Sequence, residues 1–302
     1  MSIQAVSASE LDMPKRARWR PGQAVSLRAA SIWHQIAIVT VVGLAAVAMI
    51  VPFEWMLATS LSRAANVSLP AVPSLWPPDA SFFNYGVALA NLPLLRYYLN
   101  SIFVAVTTTL GYMLTSALAG YAFAKGRFPG KSALFVLLLT TMMLPFEIRM
   151  IPLYLLMRNL HLNDTYAALI LPFMAGGFGV FLMRQYMSTI PDELIDAARV
   201  DGANEFVICF RVVLPLCGPV LAAIAIFNAL WRWNDLLWPL MVISNPKLYT
   251  VTYGLATGAV NTGVYTGVAL ASAAMAIVPL MILYLLLQRY IIRGIMLSGL
   301  KG

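Results

Sequence analysis

The sequence predicts an all-α, polytopic membrane protein with six transmembrane helices, on three observations. Hydrophobic residues make up 61% of the 302-residue chain and charged residues 11%, with a mean hydropathy of +0.80, far from the balance of a soluble domain. Six apolar segments reach the ~20 residues that a helix needs to cross a hydrocarbon core. The Lys and Arg residues between them favour one side.

Taken in order, a polar tail over 1–33 carries the basic run "PKRARWR" (Pro14 to Arg20). The apolar segment behind it is too long for a cleaved signal peptide, so the tail is expected to be retained. Span one covers 34 to 60. The loop from Leu61 to Arg96 contains Pro70, Pro73, Pro77 and Pro78, which exclude a continuous helix or a central strand, and it is long enough to meet a partner on the outer face. Span two covers 97 to 124 and is followed by "GRFPGKS" (Gly126 to Ser132). This resembles a phosphate-binding loop only superficially: three residues separate the glycines where four are required, and Pro129 lacks a backbone donor. It reads as a basic cytoplasmic turn.

Span three, 132 to 150, runs on into "EIRMIPLYLLM" (Glu147 to Met157), a segment suited to lie along the outer interface as a short helix. Span four covers 166 to 187, span five 216 to 243 and span six 266 to 290. Gly176, Gly177 and Gly179 in span four, with Gly254, Gly258, Gly263 and Gly267 before and in span six, are placed to let helices approach closely. An even number of spans puts both termini on one side. With a cytoplasmic N-terminus, every Lys and Arg falls inside except Arg63, Arg96, Arg149, Arg158, Arg232 and Lys247, which favours that orientation. The net charge of +8 thus reads as topology and attraction to anionic lipid rather than nucleic-acid binding.

Catalytic and metal chemistry find no support. The two cysteines, Cys209 and Cys217, form no disulfide framework or ligand cluster. His34 and His161 stand alone near the expected interfaces, with no nucleophile-and-base set around them, which argues against an intramembrane enzyme.

Between spans four and five lies the polar passage "ELIDAARVDGANEFVICFRVVLP" (Glu193 to Pro215). Pro191 suits the first position of a helix, and Asp192 and Glu193 place negative charge in its first turn. Gly202 supplies the permissive backbone on which helices stop, and Asn204 caps a second helix from Glu205 to about Val213. Two short helices around a glycine corner are expected, with Ala197 and Ala198 forming a small-residue face. A solvated connector needs no such face; a docking surface does. On these grounds alone the two readings are even.

The spacing decides between them by resemblance. Asp196, Ala197 and Ala198, then three residues, Gly202, nine residues, Val212, one residue, Leu214 and Pro215 resemble the Glu-Ala-Ala signature of membrane subunits of binding-protein-dependent ABC importers. Asp stands for Glu and Val for Ile, changes that keep charge and shape. The resemblance covers spans two to six and the tail "QRYIIRGIMLSGLKG" (Gln288 to Gly302), similar to the maltose-transporter-like second permease family; the stretches around Met142 to Pro152 and Leu182 to Ala203 resemble the glycerol-phosphate importer's second permease.

What the resemblance implies is a type I importer fold over 34–302 with a coupling loop at 188–215. The residues implied in ATPase coupling are Asp196, Ala197, Ala198, Gly202, Leu214 and Pro215, with Glu193 and Asp201 beside them. The implied partners are a homologous permease, two ATP-binding subunits, an extracytoplasmic solute-binding protein and membrane lipid, in the bacterial inner membrane. ATP and Mg would be used by the partner subunits and no cofactor held by this chain, which would not itself be an enzyme. Alternating access would carry a sugar, oligosaccharide or glycerol-phosphate inward. An ion-driven secondary transporter is the alternative; it calls for inverted repeats and midplane acids, neither of which is visible.

Charged and polar residues inside spans are candidates for the solute path. Glu147 and Arg149 are expected toward the outer end of span three, where Arg149 suits an anionic group. In "NALWRWNDLLWPL" (Asn228 to Leu240), Trp231, Trp233 and Trp238 read as an interfacial belt, and sugar rings also stack on such faces. Asn228, Trp231, Asn234 and Asp235 complete the path candidates.

Overall fold

The computed structural model describes residues 32–67, 75–261 and 265–299. Nearly all of the tail expected over 1–33, Gly263 and the side chains of Gln288 to Gly302 lie outside the described residues. The helices are α1 (Ile32–Leu61), α2 (Phe83–Asn91), α3 (Leu94–Lys125), α4 (Lys131–Met143), α5 (Phe146–Asn159), α6 (Tyr166–Ile170), α7 (Gly177–Met187), α8 (Asp192–Val200), α9 (Glu205–Val207), α10 (Leu214–Leu216), α11 (Gly218–Trp233), α12 (Leu237–Val242), α13 (Val251–Asn261) and α14 (Thr266–Gly299). A π-helical segment, Ile208–Val213, joins α9 to α10.

The chain divides at Phe53 into two units. The described part of the first is the leading stretch of α1, whose Ile38, Val39, Val42 and Met49 are all exposed. A helix that is apolar on every side belongs in a core or a membrane.

The second unit is organised by α3. Its 32 residues extend about 48 Å at 1.5 Å per residue, and it packs chiefly against α7 and α11. Its buried stripe recurs at helical spacing, through Tyr97, Ser101, Val104, Thr108, Tyr112, Ser116 and Gly120. Small residues set the closeness of these contacts. A β-carbon on Gly120 would meet Met183 and the backbone nitrogen of Arg184, and one on Gly179 would meet Ser116 and Tyr112. The other glycines expected to permit close approach do so where described: Gly176 faces Tyr112, Gly177 Met142, Gly254 Tyr97, Gly258 Leu92 and Gly267 Asn84.

Two stretches, His34–Leu61 and Leu94–Lys125, are long and apolar enough to cross a membrane unbroken, matching spans one and two. Spans three, four and five differ from expectation in being broken. Span three was expected to continue to 150, but α4 ends at Met143 and α5 leaves it at 101°. The cause is Pro145, which holds Leu144 in the extended region (ψ 116°), so Glu147 and Arg149 sit in the first turn of a separate helix rather than at the end of span three. Span four breaks at Met174–Gly176 with a bend of 40°. Span five ends at Trp233, so Asn234 and Asp235 lie in the break before α12. Neither α2 nor α13 is signalled by hydropathy: both are short and mixed.

The belt assigned to three tryptophans is also corrected. Only Trp231 is exposed; Trp233 and Trp238 are buried. Trp238 packs edge-on against Phe146 and Phe173, and its indole Nε1 donates to the Ala168 carbonyl at 2.8 Å, the partner that a buried indole requires. "GRFPGKS" forms a turn in which Gly130 has φ +76° and Lys131 Nζ donates to the Ala124 and Gly126 carbonyls at the end of α3, as befits a basic C-terminal cap.

Candidate functional site

The passage after α7 folds as two helical pieces around a corner. Helix α8 begins at Asp192, with Pro191 as the preceding cap position rather than the first helical residue, and Asp192 and Glu193 lie in its first turn. It ends in a full Schellman arrangement: Ala203 N–H donates to the Ala198 carbonyl and Gly202 N–H to the Arg199 carbonyl, both at 3.0 Å. Gly202 has φ +82° with open space around it, so the backbone and not crowding demands glycine. Asn204 Oδ1 then accepts from Val207 N at 2.9 Å, capping α9 as its sequence position foretold.

Beyond Val207 the helix widens into its π segment just before Pro215. Proline cannot donate to the preceding turn and its ring crowds the carbonyl there, and π segments commonly relieve such misfits. The chain then turns by 84° into α11.

Burial divides the passage into two faces. Ile195 is buried among Met187, Ile190 and Ile208, with Ala198, Ala203 and Leu214 half-buried against the same cluster. Glu193, Asp196, Ala197, Asp201, Gly202 and Pro215 are exposed. Leu194 and Val200 are exposed beside them, Val200 at 88%. The residues carried over from the signature therefore lie on one continuous passage, most of them facing outward with apolar neighbours that have no cover among the described residues.

Polar contacts fasten this passage to α3. Lys125 Nζ donates at 2.6 Å both to the Ile190 carbonyl and to Asp192. Glu205 accepts from Tyr121 Oη at 2.6 Å and from Arg199 Nε at 2.9 Å, while Arg199 also reaches Asp196 at 3.0 Å. Hydrogen bonds from Arg199 and Tyr121 hold the Glu205 carboxyl below its usual range, and Lys125 does the same for Asp192. Depressed carboxylates contribute stability above their unfolded values, lost only as pH falls through the folded ones. The docking is thus indifferent to pH around neutrality. Tyr121, Lys125, Arg199 and Glu205 were not among the residues read as functional; only the paired charges near the corner hint at them.

The path candidates do not line one groove together. Glu147 and Arg149 are exposed on α5, and Arg149 lines a groove with Thr115, Thr141 and Gly176. Asn228 is buried and accepts from Thr109 Oγ1 at 3.1 Å, joining α11 to α3. Trp231 is 71% exposed. Asn234 caps α11 through Nδ2 to the Leu230 carbonyl. Asp235 is largely buried against Arg232 at 2.8 Å and accepts from Trp238 N, while Arg232 also lies 3.6 Å over the Phe173 ring. None of Asn228, Trp231, Asn234 or Asp235 lines the Arg149 groove.

Comparison with known proteins bears on both regions. Residues 113–297 match the family described as binding-protein-dependent transport system inner membrane component. The arabinooligosaccharides transport system permease protein AraQ of Halalkalibacterium halodurans is 43% identical over 67% of this chain and 73% of its own length. The sn-glycerol-3-phosphate transport system permease protein UgpE of Yersinia pestis is 34% identical over 76% of this chain and 83% of its own. A chain of a bacterial ABC transporter involved in importing the acidic polysaccharide alginate superposes with a TM-score of 0.77 at 28% identity, over 85% of this chain and 95% of that one. The match spans α7, the corner and α11 together, and on it the chain belongs to the family of inner-membrane components of binding-protein-dependent transport systems, as a permease subunit of an ABC importer.

Proposed function

We propose that residues 188–215 are the coupling loop of an importer that carries a carbohydrate or a related solute, neutral or anionic. The observation that carries this reading is the outward face of α8. Asp196, Ala197 and Gly202 are exposed at the signature spacing, beside uncovered Leu194 and Val200, a surface of small and apolar residues that fits a cleft on an ATP-binding subunit. On this reading the domain is 34–302 behind a cytoplasmic tail over 1–33, and its six spans are α1, α3, α4, α6 with α7, α11 and α14. The loop lies on the cytoplasmic side with both termini.

The assembly would contain a homologous permease, two subunits that hydrolyse ATP with Mg, and an external solute-binding protein. The names of the relatives support arabino-oligosaccharide, glycerol phosphate and acidic polysaccharide as the range of solutes. The comparisons lend no support to an ion-driven mechanism.

The test is mutational. Asp196→Lys inverts a charge on the docking face. Gly202→Val forces a β-branched residue into the left-handed region at a local cost of about 1–3 kcal/mol. Both variants are expected to insert normally, yet to lose co-purification of the ATPase or at least about tenfold in solute-stimulated ATP hydrolysis. Wild-type values for both would overturn the assignment.

Of the path candidates, we assign Glu147, Arg149, Trp231 and Asn234 to solute contact because their side chains are exposed. Asn228 and Asp235 would act there only by shaping the helices they join. Arg149→Gln is expected to slow uptake of an anionic solute about tenfold or more, as for one lost charged hydrogen bond, with little change for a neutral one. Equal effects on both, in vesicles carrying the full transporter, would return Arg149 to a surface role.

A further inference from the structure

Besides its covalent links to α7 and α11, the loop has a third attachment. We infer that Glu205 and Tyr121 form a clamp through which movement of the loop is delivered directly to α3, an inference that rests on the coupling role proposed above.

The geometry is specific. The two oxygens of Glu205 serve two different elements: Oε1 accepts from Arg199 at the last turn of α8, and Oε2 accepts from Tyr121 on α3. Lys125 lies four residues beyond Tyr121, one turn along the same face of α3. It holds the other end of α8 through the Ile190 carbonyl and Asp192. Helix α8 is therefore gripped at its start by Lys125 and at its end by Tyr121 acting through Glu205. Both grips belong to one helix.

Burial fixes the α3 side of this grip: Tyr121 is 7% exposed and the side chain of Lys125 likewise 7%, whereas the side chains of Asp192 and Glu205 are 72% and 55% exposed on the loop side. Beneath the clamp, Ile195 and Ile208 are buried in the same cluster as Tyr121 and Met187.

Helix α3 then carries displacement over a long distance. From Tyr121 to Asn100 it rises about 31 Å without a break. At that far end Asn100 Nδ2 donates to the Lys247 and Tyr249 carbonyls, at 3.0 and 2.9 Å, ahead of α13. Midway, Thr109 donates to Asn228 on α11. An unbroken element held at both ends is one of the physical routes by which a shift can be carried between distant sites.

The experiment uses the full transporter, permeases with ATPases and binding protein, in vesicles, and reads solute imported per ATP hydrolysed. Tyr121→Phe removes a hydroxyl and keeps the ring; Glu205→Gln keeps the shape and removes the charge. Each is expected to assemble with the ATPase and to lower the ratio about fivefold or more. The double variant is expected to be no worse than Glu205→Gln alone, since that change already weakens the carboxylate's bonds to both Tyr121 and Arg199 and Tyr121→Phe removes only the first of them. An unchanged ratio in either single variant, additive losses in the double, or failure of both singles to assemble would overturn the clamp. Asp196→Lys and Gly202→Val, measured alongside, separate this from the coupling role: if both are silent too, the coupling role itself falls. Loss with Gly202→Val, where a β-carbon would meet neither Arg199 nor Glu205, while the clamp variants are silent leaves that role standing and removes only the clamp.

Discussion

Asp235→Ala is expected to destabilise the protein by about 3–5 kcal/mol, the range for breaking a buried ion pair by removing one partner. The side chains of Arg232 and Asp235 are 11% and 14% exposed, so water cannot replace what is lost. Arg232 Nε already lacks an acceptor among the described residues, and of the described contacts the Phe173 ring would be the one left to the guanidinium after the substitution. The same change strips the acceptor from Trp238 N–H at the start of α12. A lower thermal midpoint in detergent, by about 5 °C or more, is the measurement. The double change Arg232→Met with Asp235→Leu is expected to recover most of the loss, because a buried pair replaced by apolar residues of similar volume is often neutral. A single variant as stable as wild type would show that the pair is hydrated after all.

Gly120→Val is the second large effect, expected to cost about 1–3 kcal/mol or more through overpacking. A β-carbon there would collide with the Met183 β-carbon and lie 3.1 Å from the Arg184 backbone nitrogen and 3.2 Å from the Met183 carbonyl carbon. A side chain can rotate aside, but the α7 backbone cannot, so the helices must separate. Since α7 leads directly into the loop at 188–215, the displacement should, on the coupling role proposed for that loop, also disturb ATPase co-purification. Gly120→Ala should show the same two effects at smaller size. If valine is tolerated with an unchanged midpoint, α3 and α7 are not in the close contact described.

The parts of this fold that sequence reasoning captured are those governed by local rules. Helices α1 and α3 follow from uninterrupted apolar length, and the corner at Gly202 and cap at Asn204 from the few conformations open to those residues. The short helix after Pro145 was expected, though span three was carried past it to 150, while the breaks at Met174–Gly176 and after Trp233 escaped because a hydropathy window averages over a bend. Pro145 alone carried a local signal, its restriction of Leu144. Trp238 was misplaced for a related reason: an aromatic residue near a span end suits both an interface and a core, and only Phe146 and Phe173, distant in sequence, decide. Asn228 was read as lining a path, yet Thr109, 119 positions away, occupies its oxygen. The contacts of Glu205 with Tyr121 and of Lys125 with Asp192 span 84 and 67 positions, beyond any pattern in a single chain. The face proposed for docking is marked in the sequence by the fixed spacing of its residues, whereas the fastening beneath it is not.

The requirement at Gly202 has one more consequence. Nothing lies within 4 Å of where its side chain would begin, while φ stands at +82°. The restriction is therefore one of handedness rather than room. A D-alanine introduced by chemical synthesis would keep the corner, and an L-alanine, no larger, would strain it. Among the coded amino acids glycine meets that demand without penalty, and asparagine comes nearest to it.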